Sequence, residues 1–329
     1  MGTFLNVFSE KDAAWLKRKG SRAGKVLFSV FRIAFLISVG FVVIYPLFYM
    51  LVTSIQGKYA FLNSTRIWIP SELDIVNNYK IAIECLDYGK ALVSTLKNEI
   101  VAAFLQVVSC AVAAYGFARF EFRGKKIKMA LLFMTIILPD MMLLIPRMAN
   151  YSHLDFLGIL GLVNDLTGVD LRLRILDSVL TFWLPAVFGV GLRSGILIYI
   201  YIQFFKGLPR ELEEAAWVDG SGPIRTFISI AVPSSGVVII TVVLFSLIWH
   251  WNDSTLSGMY LVEDYPLAVM LHDFEAAMNN HSLYLVPRQP QTMAYAMAAC
   301  VLFVAPMLIL YMILQRWFIE SIDRIGITG

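Results

Sequence analysis

Residues 206–225 read KGLPRELEEAAWVDGSGPIR and stand between two long apolar stretches. Pro209 suits the first position of a helix, because its missing N–H would be unbonded there in any case. Three glutamates follow in the first turns, where the helix dipole favours negative charge. Gly220 is a natural left-handed stop, and Ser221 can cap a second helix that starts near Pro223. The segment is therefore predicted to form a helix–turn–helix, which is more order than a plain connecting loop needs.

The composition places the chain among membrane proteins. Of its 329 residues, 58% are hydrophobic and only 16% are charged, and the mean hydropathy is +0.70. A soluble domain of this length would need far more charge to cover its surface. The net charge of +3 is too small to suggest a nucleic-acid partner. The three cysteines fit no metal-ligand spacing, so we expect neither a metal site nor a disulfide.

Six apolar stretches are long enough to cross a hydrocarbon core, which takes about 20 helical residues. Helices are the default in lipid because backbone polar groups must be satisfied within the segment. The first stretch is too long for the apolar part of a signal peptide, so we expect it to be retained. The predicted fold class is an all-α integral membrane protein, with a tail at 1–25 and a membrane domain at 26–329. The six predicted spans lie near 26–54, 93–117, 128–149, 180–205, 228–251 and 292–316.

The distribution of Lys and Arg predicts the orientation. Six basic residues precede the first span, and five lie in the short connector at 119–128 against the single acid Glu121. Short loops rich in Lys and Arg stay in the cytoplasm. An even number of spans then places both termini on the cytoplasmic side of the membrane. The loops 55–92, 150–179 and 252–291 are predicted to lie outside.

The segment quoted first resembles the EAA loop, the signature of permease subunits in bacterial ABC importers. The family pattern is Glu-Ala-Ala, three residues, Gly, nine residues, Ile, two residues, Pro. Asp219 and Phe227 are typical of the carbohydrate-uptake branch of the family. The alternative is a solvated acidic loop that happens to contain Glu-Ala-Ala. The six positions that match at the required spacing are Glu214, Ala215, Ala216, Gly220, Ile230 and Pro233.

The resemblance implies a type I ABC importer (MetI-like) permease fold of six transmembrane helices, with a cytoplasmic coupling helix in the loop 206–227. The residues Gln315–Phe318 and a cytoplasmic tail at 317–329 are similar to the second permease subunit of the maltose importer. The tail departs from that pattern by ending in Ile-Thr-Gly at 327–329, where Val-Lys-Gly is usual. The outer loop at 160–178 looks longer than is typical of the family, and no role is assigned to it.

The resemblance also supplies the partners. The sequence contains no Gly-x-x-x-x-Gly-Lys-Ser/Thr phosphate loop, so we expect a transport subunit without its own nucleotide site, not an enzyme. ATP and Mg would be bound by a separate pair of cytoplasmic ABC ATPase subunits, whose groove would receive Glu214, while Gly220 would allow a close turn. A second related permease subunit and an extracellular or periplasmic solute-binding protein are also implied. The chain would lie among the lipids of the bacterial cytoplasmic (inner) membrane.

Polar residues within or beside the spans are candidates for the substrate path, because a charge at mid-bilayer is costly. Arg193 could line the path or pair with Asp140 or Asp253, and the alternative is that it snorkels to the outer face. Trp251, Asn252 and Asp253 together resemble the aromatic and polar sets that hold sugars. Capping of a helix end explains the same three residues equally well.

Two rival classes of function leave different traces in a sequence. A secondary transporter should show internal repeats and acidic residues near the midplane, and we find no repeat. A membrane-embedded enzyme should carry a catalytic set such as His-Glu-x-x-His or Gly-x-Ser-x-Gly, and neither occurs. A peptide or amino-acid permease stays open, because it would share the EAA loop. Glu99 is interpreted as an ordinary residue near a span end, and His250 as a packing residue.

Overall fold

The computed structural model describes most of the chain, and in that part the regular elements are helices, with two isolated β-bridges besides. The predicted departure at 327–329 lies outside the described residues, and so do residues 169–172 of the outer loop. The described ranges are 3–57, 68–155, 158–168, 173–280 and 292–326.

Two kinds of helix build the fold, long apolar helices and short helices that connect them. Two π-helical turns, at Leu96–Ile100 and Phe227–Ala231, and a 3-10 turn at Asp140–Leu143 join some of them. In chain order the helices are α1 (Thr3–Ser54), α2 (Ile75–Cys85), α3 (Tyr88–Thr95), α4 (Val101–Arg119), α5 (Lys125–Ile137), α6 (Leu144–Ser152), α7 (Ile159–Thr167), α8 (Leu180–Val187), α9 (Ser194–Gly207), α10 (Glu211–Val218), α11 (Pro223–Thr226), α12 (Val232–Ser234), α13 (Gly236–Trp251), α14 (Thr255–Tyr260), α15 (Leu267–His272), α16 (Phe274–Asn280) and α17 (Thr292–Gly326).

The chain divides into two compact units, residues 1–75 with 290–298 and residues 76–289 with 299–329. In the first unit, Phe28–Ser54 of α1 is a 27-residue apolar stretch with no buried residue in its most apolar window. An apolar helix of this length with so few buried residues suits an environment of lipid or partner protein.

The second unit is organised around α4, which packs against α8, α9 and α13. The buried face of α4 carries small residues, among them Ala103, Ala111 and Ala114. Small side chains let helix backbones approach closely, which is how membrane helices associate without a hydrophobic driving force. Larger side chains from α9, such as Tyr201 and Phe205, fill the space against them and are fully buried. The core of this unit is therefore the α4–α9 contact.

The second predicted span is part of a continuous helical stretch from Tyr88 to Arg119, in which the turn Leu96–Ile100 joins α3 to α4. This π turn buries Asn98 and Glu99. Single π turns inside helices are often found at functional sites. The predicted span at 93–117 therefore contains a π turn, with one more residue in the turn than an α-helix has. The amino-acid composition of the segment does not predict this turn.

The third and fifth predicted spans are bent. α5 and the segment Asp140–Ser152 meet at 104°, and Pro223–Ser234 meets α13 at 83°. At the first bend Leu138 is extended, with φ −68° and ψ 124°, as expected for a residue that precedes proline. The predicted spans near 128–149 and 228–251 are therefore each divided by a sharp bend.

The fourth predicted span, 180–205, is divided into α8 and α9, with a break at 188–193. Pro185 removes one hydrogen bond within α8. Gly189, in the break, adopts a left-handed φ of +68°, which a continuing right-handed helix excludes. Arg193 itself adopts φ +52°, which is strained for a residue with a side chain. Arg193 is thus the residue immediately before the start of α9.

In the part of the chain that the structure describes, three helices are long and apolar enough to cross a membrane, or five if each bent pair forms one span. These three contain Phe28–Ser54, Tyr88–Arg119 and Thr292–Arg316. The count of six also needs the divided fourth span, and it stays a prediction.

Candidate functional site

The segment 206–227, called the coupling segment below, contains a short helix followed by a tight turn and a second helix start. α10 begins at Glu211, so Pro209 lies two residues before the helix and not at its first position. The carbonyl of Arg210 accepts the N–H of Glu213 and that of Glu214, at 3.0 and 2.9 Å. The residue before the second helix is Gly222, not Ser221.

Gly220 ends α10 in the left-handed conformation that its position predicts, with φ +81°. Its N–H donates to the carbonyl of Trp217 at 3.0 Å, and the N–H of Ser221 donates to the carbonyl of Ala216 at 2.9 Å. These two hydrogen bonds form a Schellman motif, which satisfies the last carbonyls of the helix. The turn is therefore built into the backbone, and a side chain at position 220 would strain it.

An ion pair fastens α10 to the end of α4. Nε of Arg119 donates to Oε1 of Glu213 at 2.9 Å, with 4% and 3% of the two side chains exposed. Nη2 of Arg119 also donates to the carbonyl of Leu208 at 3.0 Å, in the turn that leads into α10. Charge-assisted hydrogen bonds of this kind are about twice as strong as neutral ones. Arg119 therefore holds both the helix and the turn before it.

Aromatic rings support this ion pair from the core. The ring of Tyr115, one turn before Arg119 on α4, lies 4.9 Å from that of Phe227 and 5.5 Å from that of Phe205. Phe227 belongs to the π turn that follows α11, and Phe205 to the end of α9. Edge-on and tilted ring contacts at these distances add to the area that they bury. Both ends of the coupling segment are thus packed on α4.

The opposite face of α10 is open. Glu214 is exposed, and it is the carboxylate that the family pattern singles out. Trp217 is 46% exposed and Val218 87% exposed. Of the other predicted coupling residues, Ala216 is buried, Ile230 is half-buried, and the exposed ones are Ala215, Asp219, Gly220 and Pro233.

Asp140, which was proposed as a partner of Arg193, instead pairs with Arg147 at 3.7 Å. Arg193 is exposed, and its guanidinium lies 5.2 Å from the centre of the Trp249 ring, a cation–π contact. Arg193 and Asp140 nonetheless line the same open cavity of about 430 Å³.

The three residues predicted to hold a sugar lie in different surroundings. Trp251 is buried, and its Nε1 donates to the carbonyl of Phe303 at 3.2 Å. Asn252 is exposed and bonds back to its own helix. Asp253 accepts the N–H of Leu256 at 3.1 Å, at the start of α14. Capping and packing account for these contacts, and the three side chains do not form one surface.

Asp253 lies two residues after the end of α13, just before the start of α14. Burial raises the pKa of its carboxyl to about 6, with a further contribution from the nearby charge of Glu99. Its Oδ2 accepts the hydroxyl of Ser257 at 3.1 Å, which opposes the shift. Desolvation is the larger effect, because it disfavours the charged carboxylate.

A buried polar cluster lies where sequence reasoning saw ordinary residues. Nδ1 of His250 is 2.9 Å from Oε2 of Glu99, and its Nε2 is 2.7 Å from Oε1 of Gln106. The hydroxyl of Ser257 donates to Oε1 of Glu99 at 2.6 Å. Because 151 residues separate His250 from Glu99, no local spacing could indicate the contact. The adjoining cavity of about 30 Å³ has room for one or two waters.

No group of His, Cys, Asp and Glu side chains suited to a metal ion is found among the described residues. Cys85, Cys110 and Cys300 are free thiols.

These features define a class: an all-helical, multi-pass membrane protein in which an ordered helical segment is anchored to a membrane-length helix. Residues 90–324 match the family described as "Binding-protein-dependent transport system inner membrane component". This match covers well over half of the chain. The chain therefore belongs to that family, as its resemblance to ABC importer permeases predicted.

The curated relatives are distant in sequence, but each alignment covers most of this chain and most of the relative. The chain is 24% identical over 290 residues to the "Melibiose/raffinose/stachyose import permease protein MelC" of Bacillus subtilis, covering 86% of this chain and 91% of that protein. It is 24% identical over 295 residues to the "Osmoprotective compounds uptake permease protein GgtD" of Synechocystis, covering 87% and 88%. The chain thus has the dimensions of a permease subunit.

The fold has a solved counterpart. The structure of a bacterial ABC transporter involved in the import of the acidic polysaccharide alginate contains a chain that superposes with a TM-score of 0.68. The match covers 89% of this chain and 96% of that one, at 17% sequence identity. At this identity the likeness concerns the fold.

Proposed function

We propose that this chain is the transmembrane subunit of an ATP-binding-cassette importer, forming half of the translocation path for a sugar or oligosaccharide. Its coupling segment would dock onto a cytoplasmic ATPase. The observation that carries the proposal is the two-sided arrangement of α10, in which Glu213 is fixed to Arg119 and its neighbour Glu214 is exposed. One face of the helix is bound to the membrane domain, and the other is free for a partner.

The arrangement suits the transmission of force. A helix held only by flexible linkers would move without moving the spans. α10 is instead tied to α4 through Arg119, and α4 is the element around which the second unit packs. A displacement of α10 by a docked ATPase would therefore pull directly on the core. Closure of two ATPase subunits on ATP and Mg would draw two such segments together and tilt the spans.

The exposed face has the composition of an interface. Trp217 and Val218 are apolar and exposed, and Ile224 in the following helix is 77% exposed. An aromatic anchor with apolar neighbours is typical of the centre of a protein interface. The carboxylate of Glu214 adds a partner for a cationic side chain on the ATPase. The matching groove would therefore be apolar with one basic residue.

The relatives support a saccharide as the substrate. MelC is named for the import of melibiose, raffinose and stachyose, and the fold neighbour belongs to an importer of a polysaccharide. Asp219 and Phe227 also follow the carbohydrate-uptake pattern. A peptide or amino-acid substrate is the alternative within the same class. Uptake assays with labelled saccharides and with labelled peptides, in cells that express the full importer, separate the two.

Association with the ATPase tests the docking face. We expect Glu214→Ala to weaken co-purification of the ATPase with the permease complex, because one charge-assisted contact worth about 1.5–3 kcal/mol is lost. Glu263→Ala is the control, since Glu263 is an exposed carboxylate in the predicted outer loop. Equal yields of ATPase from both variants and the unchanged chain would contradict the proposal.

The proposed topology places both termini and the coupling segment in the cytoplasm, with 55–92 and 252–291 outside. Single cysteines at positions 214 and 74 test it by labelling sealed cells with an impermeant maleimide. We expect rapid labelling at position 74 and none at 214. The reverse pattern would contradict this orientation. A second related permease subunit, two ATPase copies and a solute-binding protein would complete the transporter.

A further inference from the structure

Gln106 is fully buried on α4 and lies between two elements of the second unit. Its Nε2 donates to the carbonyl of Leu192 at 2.6 Å, within the break between α8 and α9. A carbonyl oxygen can only accept, so the amide nitrogen must be the atom that faces Leu192. The amide oxygen of Gln106 must then face Nε2 of His250, at 2.7 Å. The orientation of this amide is therefore fixed by its surroundings.

The fixed amide determines where the protons lie. Nε2 of His250 faces an acceptor, so it must carry a hydrogen. Nδ1 of the same ring is 2.9 Å from Oε2 of Glu99. Both ring nitrogens thus have a hydrogen-bonding partner, and buried polar groups with their hydrogen bonds made cost far less than unpaired ones.

Side chains of α4 donate hydrogen bonds to the fourth span on both sides of its break. The hydroxyl of Ser109 donates to the carbonyl of Ala186 before the break, at 2.5 Å. Gln106 holds Leu192 after it. Between them, a Cβ added to Gly191 would lie only 3.0 Å from Oε1 of Gln106. The glycine thus permits the close approach on which the hydrogen bond to Leu192 depends.

We propose that Glu99, His250 and Gln106 form a positioning chain that sets the break in the fourth span and, through it, the exposed guanidinium of Arg193. Arg193 directly follows Leu192 and adopts a left-handed backbone. That strained conformation persists only where the surroundings determine it. The role of Arg193 in a substrate path rests on the proposed function. The role of the positioning chain in fixing the break does not.

The test measures access to the break in the full chain, assembled with its partners in membrane vesicles. The three native cysteines are replaced by serine, and a single cysteine is placed at Val190, which lies in the break and is 63% exposed. Its rate of reaction with N-ethylmaleimide is measured without ATP. We expect Gln106→Met and His250→Phe to raise this rate on the order of tenfold, because the break loses its hydrogen-bonded support.

Ser246→Ala is the matched control. Ser246 is buried on α13, one turn before His250, and donates to the carbonyl of Ala103 on α4 at 3.2 Å. Its removal also deletes a buried hydrogen bond between α13 and α4, but not one that reaches the break. We expect an unchanged labelling rate. Equal rates in Gln106→Met and Ser246→Ala would overturn the proposal.

The conservative variant separates positioning from packing. In Glu99→Gln the new amide can donate to Nδ1 of His250 and accept from Ser257, which preserves the hydrogen bonds that Glu99 makes to these two residues. We expect Glu99→Gln to label at the unchanged rate and Glu99→Ala to label about tenfold faster. Equal disruption by both variants would show that the chain of hydrogen bonds does not position the break.

Gly191→Ala gives a second route if the polar variants fail to assemble. It keeps every hydrogen-bonding group, and its Cβ would lie 3.0 Å from Oε1 and 3.3 Å from Cδ of Gln106, with Cα of Ala186 next at 3.4 Å. A faster labelling rate than in Gly89→Ala, where a Cβ meets nothing within 4 Å, is expected, and equal rates would contradict the proposal. None of these measurements requires ATP hydrolysis. Loss of ATPase binding in Glu214→Ala with unchanged labelling, or the reverse, therefore distinguishes failure of one proposal from failure of the other.

Discussion

Arg119 at the end of α4 and Glu213 in α10 form a buried ion pair of 2.9 Å across 94 residues of sequence. Both side chains are almost wholly removed from solvent. Loss of either partner would leave the other as an uncompensated buried charge. The stability of the coupling segment therefore depends on a residue that belongs to a span.

We expect Glu213→Ala and Arg119→Ala each to destabilise the segment by about 3–5 kcal/mol, as removal of one member of a buried pair does. The double variant Arg119→Met with Glu213→Leu should lose less stability than either single variant, because it leaves no unpaired buried charge. Glu211→Ala, an exposed glutamate of the same helix, is the control. Limited proteolysis of the segment in the detergent-solubilised complex ranks these variants by the stability of the segment. Equal protection of all four would contradict the anchoring role.

Gly220 and Gly222 form a matched pair for testing the turn. Neither would meet another atom within 4 Å of an added Cβ, but Gly220 has φ +81° and Gly222 has φ −75°. Alanine at 220 should therefore cost roughly 1–2 kcal/mol from the backbone alone, and alanine at 222 almost nothing. ATPase co-purification should fall in Gly220→Ala only. Equal losses at both positions would mean that the left-handed turn is not what the partner needs.

Asp253 makes stability depend on pH in a definite direction. Its pKa is about 6 in the folded chain, against 3.8 as the ordinary value. The folded state therefore binds more protons between these values, and stability falls as the pH rises from about 4 to about 6. Asp253→Asn should remove this loss, which is at most about 3 kcal/mol. Thermal unfolding in detergent from pH 4.5 to 7.5 measures it, with the exposed Asp165→Asn as the control.

The expected result is that Asp253→Asn unfolds at a higher temperature than the unchanged chain at pH 7.5, with the gap narrowing on acidification. A gap that stays constant with pH, or one that widens in acid, would contradict a raised pKa at this carboxyl.

Arg193 allows stability and transport to be separated. Arg193→Gly removes the strain of φ +52°, worth roughly 1–2 kcal/mol, and this gain is partly offset by the greater freedom of glycine in the unfolded chain. The unfolding temperature should stay level or rise slightly, while uptake falls. Arg193→Leu should lower both. Normal uptake in both variants would exclude Arg193 from the substrate path.

Local signals were sufficient for much of the coupling segment. Gly220, with an alanine-rich helix before it and Pro223 after it, specifies a turn whatever surrounds it. The direction in which α10 faces was not predictable. Glu213 and Glu214 are adjacent, about 100° apart around the helix, and only the position of Arg119 on α4 decides which one is buried. The family pattern named the exposed glutamate and gave no reason to notice the buried one.

The same limit applies within the membrane domain. Pro185 and Gly189 are visible in the sequence, and residues of these two types could have indicated a break in the fourth span. The supports of that break, Gln106 and His250, come from distant segments and carry no periodic or spacing signal. Long-range hydrogen bonds between helices depend on how the helices pack, so such clusters are recognised only once the packing is known.

The most direct test of coupling measures uptake and ATP hydrolysis together in a double variant, Glu214→Ala with Gly220→Val. The reconstituted complex contains this chain, its partner permease, the ATPase pair and loaded solute-binding protein. Neither change lies in the predicted outer loops, so binding-protein docking should survive. We expect uptake to be lost, and ATP hydrolysis to be lost or no longer stimulated by the loaded binding protein. Uptake and stimulation equal to those of the unchanged complex would contradict the claim that this segment couples the ATPase to transport.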